Sequence, residues 1–218
     1  MLLVCLFLFL DQTTLAFPSS RLFQSKINGE ANNANINVDV DVGITIRDCR
    51  YAELNPVSDL VVQSFYSKSQ LQQDVFKHMY RLAELNRLQQ NFPYMDPDRH
   101  RMLVATLNND NDDDKTTIVG FVDIDARPAT PNWHYQNNPR PMLSDLLTCP
   151  QHRRQGIARQ LIQTCETICK QDFECDDIFI RVLQDNTVAL QMYATMGYEV
   201  VDNPGDPENV KLLQKHLD

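Results

Sequence analysis

Glycine is scarce in this chain, with six residues in 218. So few glycines leave no room for glycine-dense phosphate loops. No glycine precedes a Lys-Ser/Thr pair and no G-x-G-x-x-G triplet occurs, so the P-loop and dinucleotide fingerprints are both missing. Positive charge is also in deficit, 20 Lys and Arg against 29 Asp and Glu, for a formal net charge of −9. A nucleic-acid partner would favour a basic face, so none is expected, and cationic substrates are mildly favoured. The six cysteines include no Cys-x-x-Cys pair, and no metal site is expected. Cys165 and Cys169 lie four apart and read as small residues on the apolar face of a helix, which suits a reducing compartment better than a disulfide framework. Long apolar runs are missing too. The opening LLVCLFLFL is too short to span a bilayer, and the mature protein is expected to have no membrane partner.

That opening run fits a signal-peptide core instead, over residues 1–16, with Thr14 and Ala16 at −3 and −1 of a cut before Phe17. Residues 17–42 begin with a basic, serine-containing stretch and continue into an Asn-rich segment too poor in apolar residues to fold. The arrangement resembles the bipartite presequence that directs proteins to secondary plastids, which implies a plastid (chloroplast) location, with secretion as the alternative. The folded domain is expected over 43–218, and the apolar fraction of the whole chain, 43%, is that of a soluble globular protein.

Within it, ITIRDC reads as a strand, and SDLVVQSFY as a helix with Ser58 as its N-cap. Leu71, Val75, Met79 and Leu82 recur at helical spacing, and Pro93 closes that second helical region. RMLVATLN and TTIVGFVDIDAR are β-rich runs joined by the polar NNDNDDDK, a hairpin with a long loop. Its aspartates lack the glycine and terminal glutamate of a calcium loop. PMLSDLLTC reads as a strand, followed by a helix with Ile157, Leu161, Ile162, Cys165 and Ile168 on one face. DIFIRV is a buried-type strand, NTVALQMYATM a helix ended by Gly197, and YEVVD a strand, while NVKLLQKHL fits strand and helix equally.

The corner CPQHRRQGIARQL carries the chemistry. A strand turning through a glycine into a helix aims unpaired backbone N–H groups at one point, with the positive end of the helix dipole behind them. That is an anion site suited to phosphate. Gly156 lets the backbone approach, Ala158 keeps the next position small, and Arg153, Arg154 and Arg159 add charge-assisted donors. The bland alternative is a capped helix with a solvated basic end. The spelling R-x-x-G-x-A, at Arg153, Gly156 and Ala158, resembles the pyrophosphate motif of the GCN5-related N-acetyltransferases. A second element, Asn186, Ala189, Tyr193, Gly197 and Tyr198, is similar to that superfamily's N-x-x-A-x-x-x-Y-x-x-x-G-F/Y. The resemblance covers roughly Gly43 to Leu217, and DLLTCPQHRRQGIA with MYATMGYE looks most like the plastid branch.

The resemblance implies an α/β fold with a mixed central sheet of six to seven strands and about four helices. It implies acetyl-CoA as cosubstrate, lying between a splayed fourth and fifth strand. Leu146, Leu147 and Thr148 would hold the pantetheine arm through their backbones. Arg153, Arg154, Gln155, Gly156, Ile157, Ala158 and Arg159 would hold the pyrophosphate, Asn186 the cofactor arm, and Tyr193 would be both a cofactor contact and the catalytic general acid. Tyr198 is expected to pack, and Cys149 to be inert. Relatives with a glutamate base on the fifth strand carry it where this chain has Arg181. Asp145 or a water chain then remains as base. An α-amine, with pKa about 7.7–8.0, needs less help than lysine at about 10.4, which favours protein N-termini as acceptors over lysine side chains. A small arylalkylamine or polyamine is the alternative acceptor, with Trp133 and His134 in a loop that could line either site. A non-catalytic acyl-CoA-binding module is a further alternative.

Overall fold

The computed structural model describes residues 43–65, 74–107, 117–128, 139–203 and 206–218. The presequence-like segment, the aspartate-rich loop, Leu71, Trp133 and His134 lie outside the described residues. Seven strands form one sheet: β1 (Ile44–Asp48), β2 (His100–Leu107), β3 (Thr117–Asp125), β4 (Met142–Thr148), β5 (Asp177–Leu183), β6 (Glu199–Val201) and β7 (Val210–His216). Their order is β1-β2-β3-β4-β5-β7-β6, antiparallel throughout except for the parallel β4–β5 pair. Helices α1 (Leu54–Phe65) and α2 (Asp74–Gln90) belong to one face, and α3 (Ile157–Gln171) and α4 (Thr187–Thr195) to the other.

Burial on both faces explains the near-continuous apolar run of β2. Met102 and Val104 point into the core shared with Leu54, Val57, Val61 and Leu88, while Leu103 and Ala105 point into the core under Leu161, Ile162 and Cys165. The ambiguous run near the end is a strand because β5 pairs along its whole length, Ile180 opposite Leu213. Gly197 takes a positive φ of 86° just past α4, where the helix stops.

One reading of the first helical pair changes. Ser58 does not cap α1. It is buried inside the helix and its hydroxyl donates to the Asn55 carbonyl at 2.7 Å. The helix starts earlier because Pro56 sits in the first turn, where its missing N–H costs nothing. A 3₁₀ turn over Tyr51–Glu53 leads in, and the Glu53 carboxylate accepts from the Arg50 N–H at 2.8 Å. In α2 the apolar stripe faces outward: Val75, Met79 and Leu82 are 66%, 55% and 49% exposed. What α2 turns inward, besides Leu85 and Leu88, is Glu84, Arg87 and Asn91 just past its end. Arg87 reaches Asp145 of β4, and Asn91 donates to Asp123 of β3, which pairs with the buried His100 at 2.6 Å. The sheet offers α2 polar partners at these points, so the helix seats a polar edge and leaves the stripe on the surface.

Candidate functional site

The β4–β5 ladder is short. Only Met142–Phe179 and Leu143–Ile180 are in register, and beyond them the two strands part. One cause is a bulge in β4. Across from β3, Phe121 faces Leu147 and Asp123 faces Ser144, so β4 carries one residue more than its partner. Asp145 sits in that bulge with φ 52°. The extra residue shifts the alternation, placing Leu143 in the core under α3 but Leu147 in the core under α1. The edge of β4 from Ser144 to Thr148 that faces β5 therefore has no strand partner among the described residues. The parted strands open a cleft of about 920 Å³.

The arginine-glycine corner stands at the mouth of this cleft. Gly156 caps α3 with φ 79° and ψ −3°, and Arg154 before it also has a positive φ of 66°. Successive left-handed and right-handed residues turn their N–H groups to one side. Among the described residues, the backbone N–H groups of 154–159 meet no acceptor; the first bond of the helix is Gln160 N–H to the Gly156 carbonyl, 3.0 Å. No side chain caps the helix. Arg153 and Arg154 are exposed beside the corner, and Arg159 reaches across to the Thr195 hydroxyl of α4 at 3.1 Å. Such a set of donors, in a chain of net negative charge, is suited to an anion and fits a diphosphate.

The residues singled out from the sequence come together here, with one exception. Leu146, Leu147, Thr148, Arg153, Arg154, Gly156, Ile157, Ala158, Arg159, Asn186 and Tyr193 all line the cleft, whereas Gln155 points to solvent and does not. Ile157 is buried, so only its backbone bears on the corner. The Thr148 hydroxyl oxygen is buried and has no hydrogen-bond partner among the described residues. Asn186 has a second duty as N-cap of α4, its Oδ1 accepting from Ala189 N–H at 3.3 Å. Tyr193 is buried in the wall, and burial pushes its phenol above the usual value, so it stays protonated. Tyr198 packs edge-on against it, ring centroids 5.6 Å apart.

Arg181 lines the cleft from β5, and its Nε donates to Asp206 at 3.0 and 3.1 Å in a buried ion pair. Asp145 lines it from β4 and pairs with Arg87 at 2.7 Å. The Cys149 thiol donates to Gln151 Oε1 at 2.8 Å. Cys165 and Cys169 are buried and their thiols pushed far up by desolvation, which makes them poor nucleophiles. Sequence reasoning missed Ser64 and Phe65, the end of α1, which also line the cleft, and it missed Arg87. Glu84 and Arg87 three apart on a helix look like a solvated pair. Nothing local marks them as buried.

Known proteins resemble this chain in sequence and in fold. The profile of the acetyltransferase (GNAT) family matches residues 63–198. GCN5-related N-acetyltransferase 10, chloroplastic, of Arabidopsis thaliana is 25% identical over 154 residues, 69% of this chain and 59% of that protein. N-alpha-acetyltransferase 50 of Danio rerio is 28% identical over 90 residues, 38% of this chain and 54% of that one. The matched stretches thus span a little over half of each relative. Among solved structures, the PaiA N-acetyltransferase of Thermoplasma acidophilum in complex with coenzyme A has a TM-score of 0.54 at 19% identity, covering 79% of this chain and 98% of that one. The profile spans more than half the sequence, and both the corner and the tyrosine helix fall inside it: this chain belongs to the acetyltransferase (GNAT) family.

Proposed function

We propose that this protein transfers the acetyl group of acetyl-CoA to protein N-terminal α-amines, and to lysine side chains as secondary acceptors. The observation that carries the reading is the set of unpaired N–H groups at 154–159, placed where β4 and β5 part. The corner, with Arg153 and Arg154, suits the diphosphate of the donor. The unpaired edge of β4 at Leu146, Leu147 and Thr148 suits the amides of a pantetheine arm, and Asn186 stands on the opposite wall. Tyr193 would be the acid that gives a proton to the departing sulfur. A protein acceptor is supported by the name of the Danio rerio relative, and a plastid location by that of the Arabidopsis thaliana one. A small cationic amine is the second reading, favoured by a carboxylate, Asp145, in the cleft wall.

Calorimetric titration with coenzyme A tests the corner. Arg154→Gln should weaken binding on the order of tenfold or more, as loss of a charge-assisted hydrogen bond of about 1.5–3 kcal/mol does. No binding by the parent would end the reading. Labelled acetyl-CoA with a peptide set and an amine panel separates the acceptors, and turnover of free amines with none of peptides would select the second reading. A fluorescent fusion to residues 1–42 tests the plastid assignment.

A further inference from the structure

Tyr193 is the buried residue of the nine-residue helix α4, so the acid of the proposed transfer is also the peg that seats its helix. What lies against that peg is Tyr198. The turn through Gly197, with its φ of 86°, brings the chain back so that Tyr198 N–H donates to the Tyr193 carbonyl at 3.1 Å. The two rings then meet with centroids 5.6 Å apart and planes inclined at 62°, an edge-on contact that constrains the tilt of both.

Tyr198 is anchored in turn from two other elements. Lys215 of β7 donates to Glu166 Oε2 of α3 at 2.7 Å, and its Nζ stands 5.7 Å from the centroid of the Tyr198 ring, within reach of a cation–π contact. The other Glu166 oxygen, Oε1, and the Tyr198 hydroxyl are both buried, and neither has a hydrogen-bond partner among the described residues. The two groups are neighbours: burial pushes the Tyr198 phenol up, and the Glu166 carboxylate adds to the rise. An unsatisfied donor beside an unsatisfied acceptor is one small shift from a charge-assisted hydrogen bond, and burial of both favours closing it. A tyrosine that only filled the core would need neither a carboxylate at its hydroxyl nor an ammonium over its ring.

We propose that Tyr198 is a positioning residue for Tyr193, and that Glu166 and Lys215 fix it in that role: the Tyr198 ring, held from α3 and β7, keeps the Tyr193 phenol at the angle that proton transfer to the departing sulfur requires. This rests on the acetyl-transfer reading. Tyr193 lines the cleft, whereas Tyr198, Glu166 and Lys215 do not. None of the three is placed to touch donor or acceptor, so their effect on the reaction passes through Tyr193.

The test is a double-variant cycle on kcat, with acetyl-CoA and a peptide acceptor. Tyr198→Leu removes the ring contact and the hydroxyl together. It should lower kcat by about 10- to 10²-fold, as misplacing a reacting group by about an ångström does, while coenzyme A affinity stays near that of the parent. Glu166→Gln and Lys215→Met loosen the anchor but leave both rings, and each should lower kcat by a smaller factor, with Lys215→Arg recovering part of the loss. In a chain that already carries Tyr193→Phe, the same changes should cost nothing further, because no phenol remains to be aimed. A residue that merely holds the fold together would cost the same in both backgrounds, and equal losses overturn the proposal. So does parental kcat in a folded Tyr198→Leu variant that binds coenzyme A, or parental kcat in Tyr193→Phe alone. Should Tyr198→Leu fail to fold, Tyr198→Phe keeps the ring, removes only the hydroxyl, and is read in the same way as Glu166→Gln. A parent that transfers acetyl to no amine overturns the acetyl-transfer reading itself.

Discussion

Gly120 lies in β3 directly under the first two turns of α3. A Cβ built there meets Ile157 Cγ2 and Leu161 Cδ1, both at 3.0 Å, and Ala105 Cβ at 3.3 Å. Ordinary carbon contacts lie at about 3.5–4.0 Å, so Gly120→Ala forces a retreat of roughly half an ångström. Neither side chain can turn aside, since Ile157 and Leu161 are 1% and 0% exposed and packed on every side. Overpacking of this kind costs about 1–3 kcal/mol, and the stiffer unfolded chain returns about 0.4–1, for a net loss of about 1–2 kcal/mol. The helix itself is then the part that moves. Ile157 is its first residue, so the N–H groups of the corner shift with it, and coenzyme A binding should weaken on the order of tenfold. Urea unfolding measures the first effect and calorimetry the second. Val119→Ala, beside Gly120 in the same core, is the control: it should lose stability by leaving a cavity without pushing α3. Parental stability in Gly120→Ala, or lost stability with coenzyme A affinity unchanged, would refute the reasoning.

Tyr193→Phe should reduce kcat by about 10²-fold or more while coenzyme A still binds. Because burial raises the Tyr193 phenol, its ionisation should cause no fall in rate below about pH 10, the ordinary tyrosine value; a fall at lower pH accompanied by phenolate absorbance would contradict the assignment. Met79→Gln on the exposed stripe should change the urea midpoint hardly at all, while Leu88→Ala on the buried side of the same helix should cost about 2–5 kcal/mol. Burial works against the Asp125 carboxylate, but Arg127 and Arg140 outweigh it and hold its pKa below the ordinary value. Its contribution to stability is therefore present above an unfolded pKa of about 3.9 and fades as pH falls through the folded value. The stability gap between parent and Asp125→Asn should close on acidification from about pH 5, and a gap that widens instead would reverse the sign.

The strands were legible because sheet burial on both faces leaves long β-branched and apolar runs, as in RMLVATLN and TTIVGFVDIDAR. The corner was legible for a different reason: Arg153, Gly156, Ala158 and Arg159 are neighbours in sequence, so the anion cradle is encoded within seven positions. Asn186 and Tyr193 belong to one helix and are equally local. What stayed hidden depends on contacts between distant parts of the chain. Arg87 and Asp145 are 58 positions apart, and they meet only because one extra residue in β4 re-aims the strand. The same holds for α2, where spacing located the helix but not its buried side. Spacing reports that apolar residues share a face. Which face is covered depends on what the sheet offers: the carboxylates Asp123 and Asp145, beside an apolar core that takes Leu85 and Leu88. Ser58 was misassigned by a local rule, since serine followed by an apolar run marks a helix start only when the turn before it is not already helical.

The short register between β4 and β5 has a mechanical consequence. With only Met142–Phe179 and Leu143–Ile180 joined, the sheet is two plates, β1 to β4 and β5 to β7, stitched at one end and bridged by α3. A donor molecule bound along the seam, as proposed above, would stitch the other end. Saturation at a hundred times the dissociation constant adds about 2.7 kcal/mol of stability. Amide protons in Val182 and Leu183, beyond the stitch, should gain protection from exchange on filling that those of Val104, deep in one plate, do not.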